Sequence, residues 1–217
     1  MSSIPKRAYL VGNLISPFIT VLFAFKNFNQ KQARVAIIIF AGIFGFYFLV
    51  PEEADGFVHA QNVKLHYLNL SFDQFYNELI QLFKFAPPPG TNDDVFLHII
   101  SYLVAFFGGS QGVFFLVISI IYSYFFIKAT GNIYDLLPVQ KTMFISSLFV
   151  FFFIWKGFEG INSVRTWTGA WIFFNGAFGY YTTKEKKYLY LVLFAPLVHF
   201  AHLLFSLSFW GVYFIGK

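Results

Sequence analysis

A chain of 217 residues with 34 phenylalanines and only 12% charged residues is not expected to close as a water-soluble domain. Soluble proteins average about 25% charged residues, and a fold of this size leaves much of its surface exposed. The formal net charge of +5 does not indicate nucleic acid, because lysine and arginine fall in short stretches between apolar runs, where they set membrane orientation. Cysteine is absent, which excludes disulfides and thiolate chemistry.

Continuous apolar runs at Val35–Val50, Gly112–Ile127 and Leu189–Trp210 reach, some with their flanks, the roughly 17–25 residues that cross a bilayer core. They predict an all-α, polytopic transmembrane helical bundle, with residues 1–217 as a single integral membrane domain. The first span is expected at about Ala8–Phe25 and contains Pro17. No small-residue cleavage pattern follows Lys6 and Arg7, so an uncleaved span is the reading rather than a signal peptide. A basic link, Lys26–Arg34, leads to a second span at Val35–Val50, closed by Pro51.

The longest polar stretch, about 52–94, carries seven carboxylates against Lys64 and Lys84 and is expected to face outward. Within it, Ser71–Phe85 has apolar residues near helical spacing, which predicts an interfacial amphipathic helix ended by Pro87-Pro88-Pro89-Gly90. Val95–Phe107, before Gly108-Gly109, is short for a crossing and suits a re-entrant or interfacial segment. Gly112–Ile127 is then a span, Lys128–Lys141 a loop, Thr142–Trp155 a span and Lys156–Arg165 a polar loop. Trp167–Tyr181 spans next, Thr182–Lys187 is a basic turn, and Tyr188 to about Trp210 spans last. This gives about six crossings plus one short segment, with seven helices if Val95–Phe107 crosses. Either count puts the basic turn in the cytoplasm and the Arg165 loop outside.

Ionisable residues inside apolar spans are costly and call for a reason. His199 lies roughly 18 Å, and His202 roughly 22 Å, above Lys187 at helical rise, in the outer half of a core about 30 Å thick. Arg165 precedes its helix on that same side. At spacing i and i+3 the two histidines share a helix face, and Pro196 would kink the helix beside them. The plainer readings are an arginine that snorkels to the interface and a histidine that bonds a neighbouring helix. Zinc is not expected, since no nearby carboxylate completes the ligand set around His199 and His202. Trp155, Trp167, Trp171 and Trp210 include interfacial belt residues, with Trp167 alternatively a stacking platform for a sugar. Asp93-Asp94 reads as a cap for the next helix. No GxGxxG, P-loop, HExxH or GxSxG is present.

The segments NSVRTWTGAW (162–171), KEKK (184–187) and PLVHFAHLLF (196–205), with a looser Asp55-Gly-Phe-Val-His59, resemble the EpsG family of exopolysaccharide polymerase-like, Wzy-type membrane proteins. The resemblance runs from about Val35 onward. It implies a bacterial inner-membrane, multi-pass protein with its N-terminus outside. The implied role is a transferase that joins undecaprenyl-diphosphate-linked repeat units in exopolysaccharide, capsule or O-antigen synthesis. Arg165 would stabilise the departing diphosphate, and His199, with Asp55 as second candidate, would take the hydroxyl proton. His202 would orient His199 or contact phosphate, and Trp167 and Asn162 would hold substrate. No cofactor or metal is implied. The partners are the bilayer, the lipid-linked glycan, and flippase and chain-length regulator proteins. His202 stands near where a small hydroxyl residue is commoner, and the chain is short for the family, so it is expected to be either a C-terminally truncated member or one whose remaining spans are supplied elsewhere. A transporter and a non-catalytic subunit of a polysaccharide export assembly are the alternatives.

Overall fold

The computed structural model describes residues 6–89, 91, 94–136, 151, 155, 160 and 163–216. Every regular element among them is helical: α1 (Lys6–Ile15), α2 (Pro17–Lys26), α3 (Lys31–Phe46), α4 (Asp55–Leu65), α5 (Phe72–Phe83), α6 (Val95–Phe106), α7 (Gln111–Leu136), α8 (Val164–Thr183), α9 (Lys187–Val198) and α10 (Leu203–Ile215). Short 3-10 turns stand at Tyr67–Asn69 and Phe200–His202. The expected span Thr142–Trp155, and most of the loop after it, lie outside the described residues.

The axis of the fold is α7. Its 26 residues extend about 39 Å at 1.5 Å per residue, and among the described residues it is the one helix long and apolar enough to cross a membrane. Two apolar clusters divide along it. Phe114, Phe115 and Ile118 pack with Val63, Leu97 and Val164 around its first half. Tyr122, Phe126 and Ile127 pack with Tyr9, Val21 and Ile37 around its second. Helix α3 runs antiparallel to it: Gly45 lies against Ser119, and Arg34 reaches Asp135. The expected loop from Lys128 is corrected, because α7 continues to Leu136 and Thr130 bonds back to the Phe126 carbonyl at 2.8 Å.

Two further expectations change, each for a local reason. The single span Ala8–Phe25 is divided into two ten-residue helices at Ser16-Pro17, because proline has no N–H to continue the ladder. The polar stretch 52–94 is not an open loop but carries α4 and α5. Helix α5 starts one residue inside the predicted amphipathic segment, where the Ser71 hydroxyl and Gln74 form a reciprocal capping box. It stops at Phe83, before the proline run. There Phe85 adopts φ 57°, with its N–H on Leu82 and that of Ala86 on Gln81. After α6, twelve residues long, the chain reverses through Gly108 (φ 94°) and Gly109 (φ 61°), conformations that side chains resist.

The largest correction falls on the last span. The stretch 188–210 is not one helix. Helix α9 stops at Val198, His199 is extended (φ −156°, ψ 122°), and α10 turns back beside α9. Pro196 explains both the break and its repair. Its missing N–H frees the Val192 carbonyl four residues earlier, and that carbonyl accepts the Ser206 hydroxyl at 2.8 Å. Residues 14 apart on a continuous helix would stand about 21 Å apart, so this bond fixes a hairpin. Rings of α10 lie down the length of α8, Phe205 by Phe173 and Tyr213 by Tyr180. His199 and His202 therefore do not share a helix face; they form the tip of the hairpin.

Candidate functional site

At one end of the bundle three helix starts converge. Asp55 opens α4, Asp94 stands immediately before α6, and Arg165 is the second residue of α8. Carboxylates suit such positions, where unpaired N–H groups present positive charge. Asp94 occupies the N-cap position that the sequence suggests, yet its side chain makes no capping hydrogen bond. Its Oδ2 accepts instead from Arg165 Nη1 at 2.9 Å, because a guanidinium is a stronger donor than a backbone amide. The cap reading of Asp94 is corrected accordingly. Asp93 lies outside the described residues.

Arg165 also turns Nη2 toward Asp55, 3.3 Å from Oδ2 and 3.5 Å from Oδ1. The two carboxylates are unequal partners. Asp94 is 6% exposed and closely bonded, whereas Asp55 is 49% exposed and loosely held. His59, one turn along α4, places Nε2 3.2 Å from Asp55 Oδ1. His199 places Nδ1 3.5 Å from Asp94 Oδ1 and makes no hydrogen bond through that nitrogen among the described residues. Burial opposes the charge on Arg165, but Asp55 and Asp94 more than offset it, and the guanidinium is held above its ordinary range. One fixed cation, two carboxylates and two imidazoles thus meet in one cluster, with acid in excess over arginine.

His202 is spent differently. Its Nε2–H donates to the Thr166 carbonyl at 2.8 Å, and the ring lies against Gly169, where a Cβ would overlap it. This bond pins the hairpin tip to the first turn of α8 and brings His199 to Asp94. The His199 and His202 rings are 6.0 Å apart. Trp167 is not in the ion cluster: it packs near Trp171 (6.3 Å between rings) on the second apolar cluster. Asn162 lies outside the described residues. Of the sequence candidates, then, Asp55, Arg165 and His199 come together, His202 supports them from behind, and Trp167 stands apart.

Sequence reasoning assigned no site role to Asp94 or His59, and it missed a second polar cluster one turn further along α6. There the buried His98 donates from Nε2 to the Phe75 carbonyl (3.2 Å), which leaves Nδ1 of a neutral ring to accept from Tyr67 Oη at 2.9 Å. Glu78 stands beside it and meets His66 Nε2 at 3.0 Å. This cluster ties the amphipathic α5 to α6. Among the described residues no group of three or more His, Asp or Glu side chains is placed to hold a metal ion.

Chemically, the Arg165 cluster can bind an anionic or strongly polar oxygen and can accept a proton nearby. Compared with known proteins, the chain matches no family model, no curated protein and no solved structure.

Proposed function

We propose that this chain is a polytopic membrane transferase of the bacterial inner membrane, glycan-polymerase-like, that joins repeat units carried on a lipid diphosphate. The observation that carries the reading is Arg165 held between a buried Asp94 and an exposed Asp55, with His199 alongside, at a single end of the bundle. The membrane setting is supported by the outward faces of α1, α2 and α10. Leu14, Ile15, Phe18, Leu204, Val212 and Ile215 are all more than half exposed, and large apolar side chains gathered on exposed helix faces suit contact with lipid. The short helices α6, α9 and α10 suit re-entrant hairpins, so 188–210 no longer counts as a crossing and about five of the expected crossings remain.

In the proposed reaction a hydroxyl oxygen of one lipid-linked unit attacks the anomeric carbon of another. A new glycosidic C–O bond forms, the C–O bond to the lipid diphosphate breaks, and the diphosphate leaves with the bonding pair. Arg165 stabilises that charge through planar, multi-point contact. The hydroxyl proton passes to the accessible carboxylate Asp55 or to His199. Asp55 is the exchangeable partner of Arg165, so incoming diphosphate takes its place on Nη2 while Asp94 keeps Nη1 aligned. Asp55, with His59 still beside it, is then released from the guanidinium at the moment a base is needed.

Surface polysaccharide chain length on a gel tests this reading, comparing wild-type, deletion and Arg165→Ala cells at equal protein level in the membrane. Single units accumulating on lipid in both mutants is the expected outcome. Unchanged polymer in the deletion strain would overturn it. A proton-coupled carrier is the second reading, favoured by the Tyr67–His98–Glu78–His66 cluster, whose His98 lies one turn along α6 from Asp94. Polymer of normal length, together with loss of a proton-driven solute flux in sealed vesicles, would select it.

A further inference from the structure

A groove of about 340 Å³ opens beside the ion cluster, between the end of α5 with the start of α6 on one side and the α9–α10 hairpin on the other. Leu82, Phe85, Pro196, Phe200 and Leu203 supply apolar walls, and among the described residues Asp94 is the one ionisable group in the lining. That same Asp94 bonds Arg165. The groove is therefore amphiphilic along its length: hydrocarbon-like for most of it, and ended by the carboxylate whose other side holds the guanidinium.

The walls are built at local cost. Phe85 holds φ 57°, where glycine would be free and a side chain is strained. A phenyl ring in that conformation projects from the α5 terminus, 76% exposed, and meets Phe200 edge-on at 5.5 Å. Phe200 is available there only because the chain leaves helical geometry at His199. Two irregular backbone segments, far apart in sequence, thus present one aromatic pair over the groove.

We propose that this groove seats the head-proximal hydrocarbon of a phosphate-headed lipid, with the head group reaching Arg165 in place of Asp55. The inference rests on the transferase reading above and gives its lipid carrier a location. The volume lies at the low end of the roughly 300–1,000 Å³ of small-molecule sites, so it takes the first stretch of a long chain and leaves the remainder in the bilayer. The excess of acid over arginine also fits. Among the described residues a free diphosphate would meet Asp55 and Asp94 with one arginine to attract it, whereas burial of an attached hydrocarbon supplies further attraction.

The test uses the full chain in nanodiscs and a polyprenyl diphosphate carrying a diazirine in the isoprene next to the diphosphate. Photolabel is expected on peptides containing Phe85, Phe200 and Leu203. Unlabelled polyprenyl diphosphate should compete, and phosphate-free polyprenol should not. Phe85→Gly removes one wall while relieving the backbone, so labelling should fall about fivefold, about 1 kcal/mol in binding terms, with thermal stability unchanged or raised. Label spread over α1, α2 and α10 without competition, or equal competition by polyprenol, would overturn the groove. Failure of the groove and failure of the transferase reading separate cleanly. Normal polymer with label elsewhere removes only the groove, and competed groove label in a protein whose deletion leaves polymer unchanged removes only the polymerase.

Discussion

Two arginines of nearly equal burial occupy opposite halves of the bundle, and they do different things. Arg34 is 18% exposed and Arg165 is 20% exposed. Arg34 spends its donors on fixed structure: Nη2 on Asp135 at 2.6 Å and Nε on the Phe28 carbonyl at 2.9 Å, with the guanidinium over the Phe28 ring. One cation meets one carboxylate, and the account is balanced. Arg165 faces two carboxylates of unequal exposure, each with an imidazole nitrogen 3.2 or 3.5 Å away. A balanced pair fastens helices; a lopsided cluster with one loose partner is poised to exchange it. Burial does not distinguish these two arginines; the number and exposure of their carboxylate partners do.

That contrast can be broken by experiment. Replacing Arg165 by Ala should lower polymer synthesis about a hundredfold or more, the scale for losing a donor to developing negative charge. Lys at position 165 should fail to restore it, because a single ammonium cannot span both carboxylates. If Arg165→Lys is nearly wild-type in chain-length gels, the two-partner geometry is irrelevant. Next in size, Asp94→Ala should cost about 1.5–3 kcal/mol in detergent-unfolding experiments, the worth of a hydrogen bond to a charged group, because it removes the closer, buried partner of Arg165 and leaves the looser Asp55. Asp55→Ala should cost under about 1 kcal/mol there, as an exposed pair does, yet still reduce polymer. Equal destabilisation by the two would remove the distinction between fixed and exchangeable partner.

Arg34→Ala sharpens the other side. With Asp135 more than half exposed, a loss of about 1 kcal/mol is expected, and chain length should be normal once membrane levels are matched. The smallest effect concerns the hairpin. Ser206→Ala should cost about 0.5–1.5 kcal/mol, the usual worth of one hydrogen bond. In a Pro196→Ala background, where the new N–H can satisfy Val192, the same change should be nearly silent. A double-mutant cycle measures that coupling.

Local grammar made part of this molecule legible. The Ser71–Gln74 box starts α5 where its pattern begins, the basic turn separates α8 from α9, and the paired glycines end α6. Helix α4 hid inside a polar stretch because its buried face is Gly56, His59, Ala60 and Val63, helical spacing carried mostly by residues that do not read as hydrophobic. Pro196 announced a kink, but the hairpin depends on Ser206, ten residues later, reaching a carbonyl behind the proline. Asp94 was the hardest to read. It looked like the cap that Ser71 is, but Gln74 completes a box for Ser71, whereas Leu97 offers Asp94 nothing in return. Its true partner lies 71 residues away, and no local pattern encodes that.

The Val192–Ser206 bond carries one more consequence, for parity. A straight final span would move the chain from one face of the bundle to the other, whereas a hairpin adds two passages and restores the starting face. Anything fused after α10 would then emerge beside Thr182–Lys187 and away from Arg165. Compartment-specific reporters appended there should light up with those placed in the basic turn.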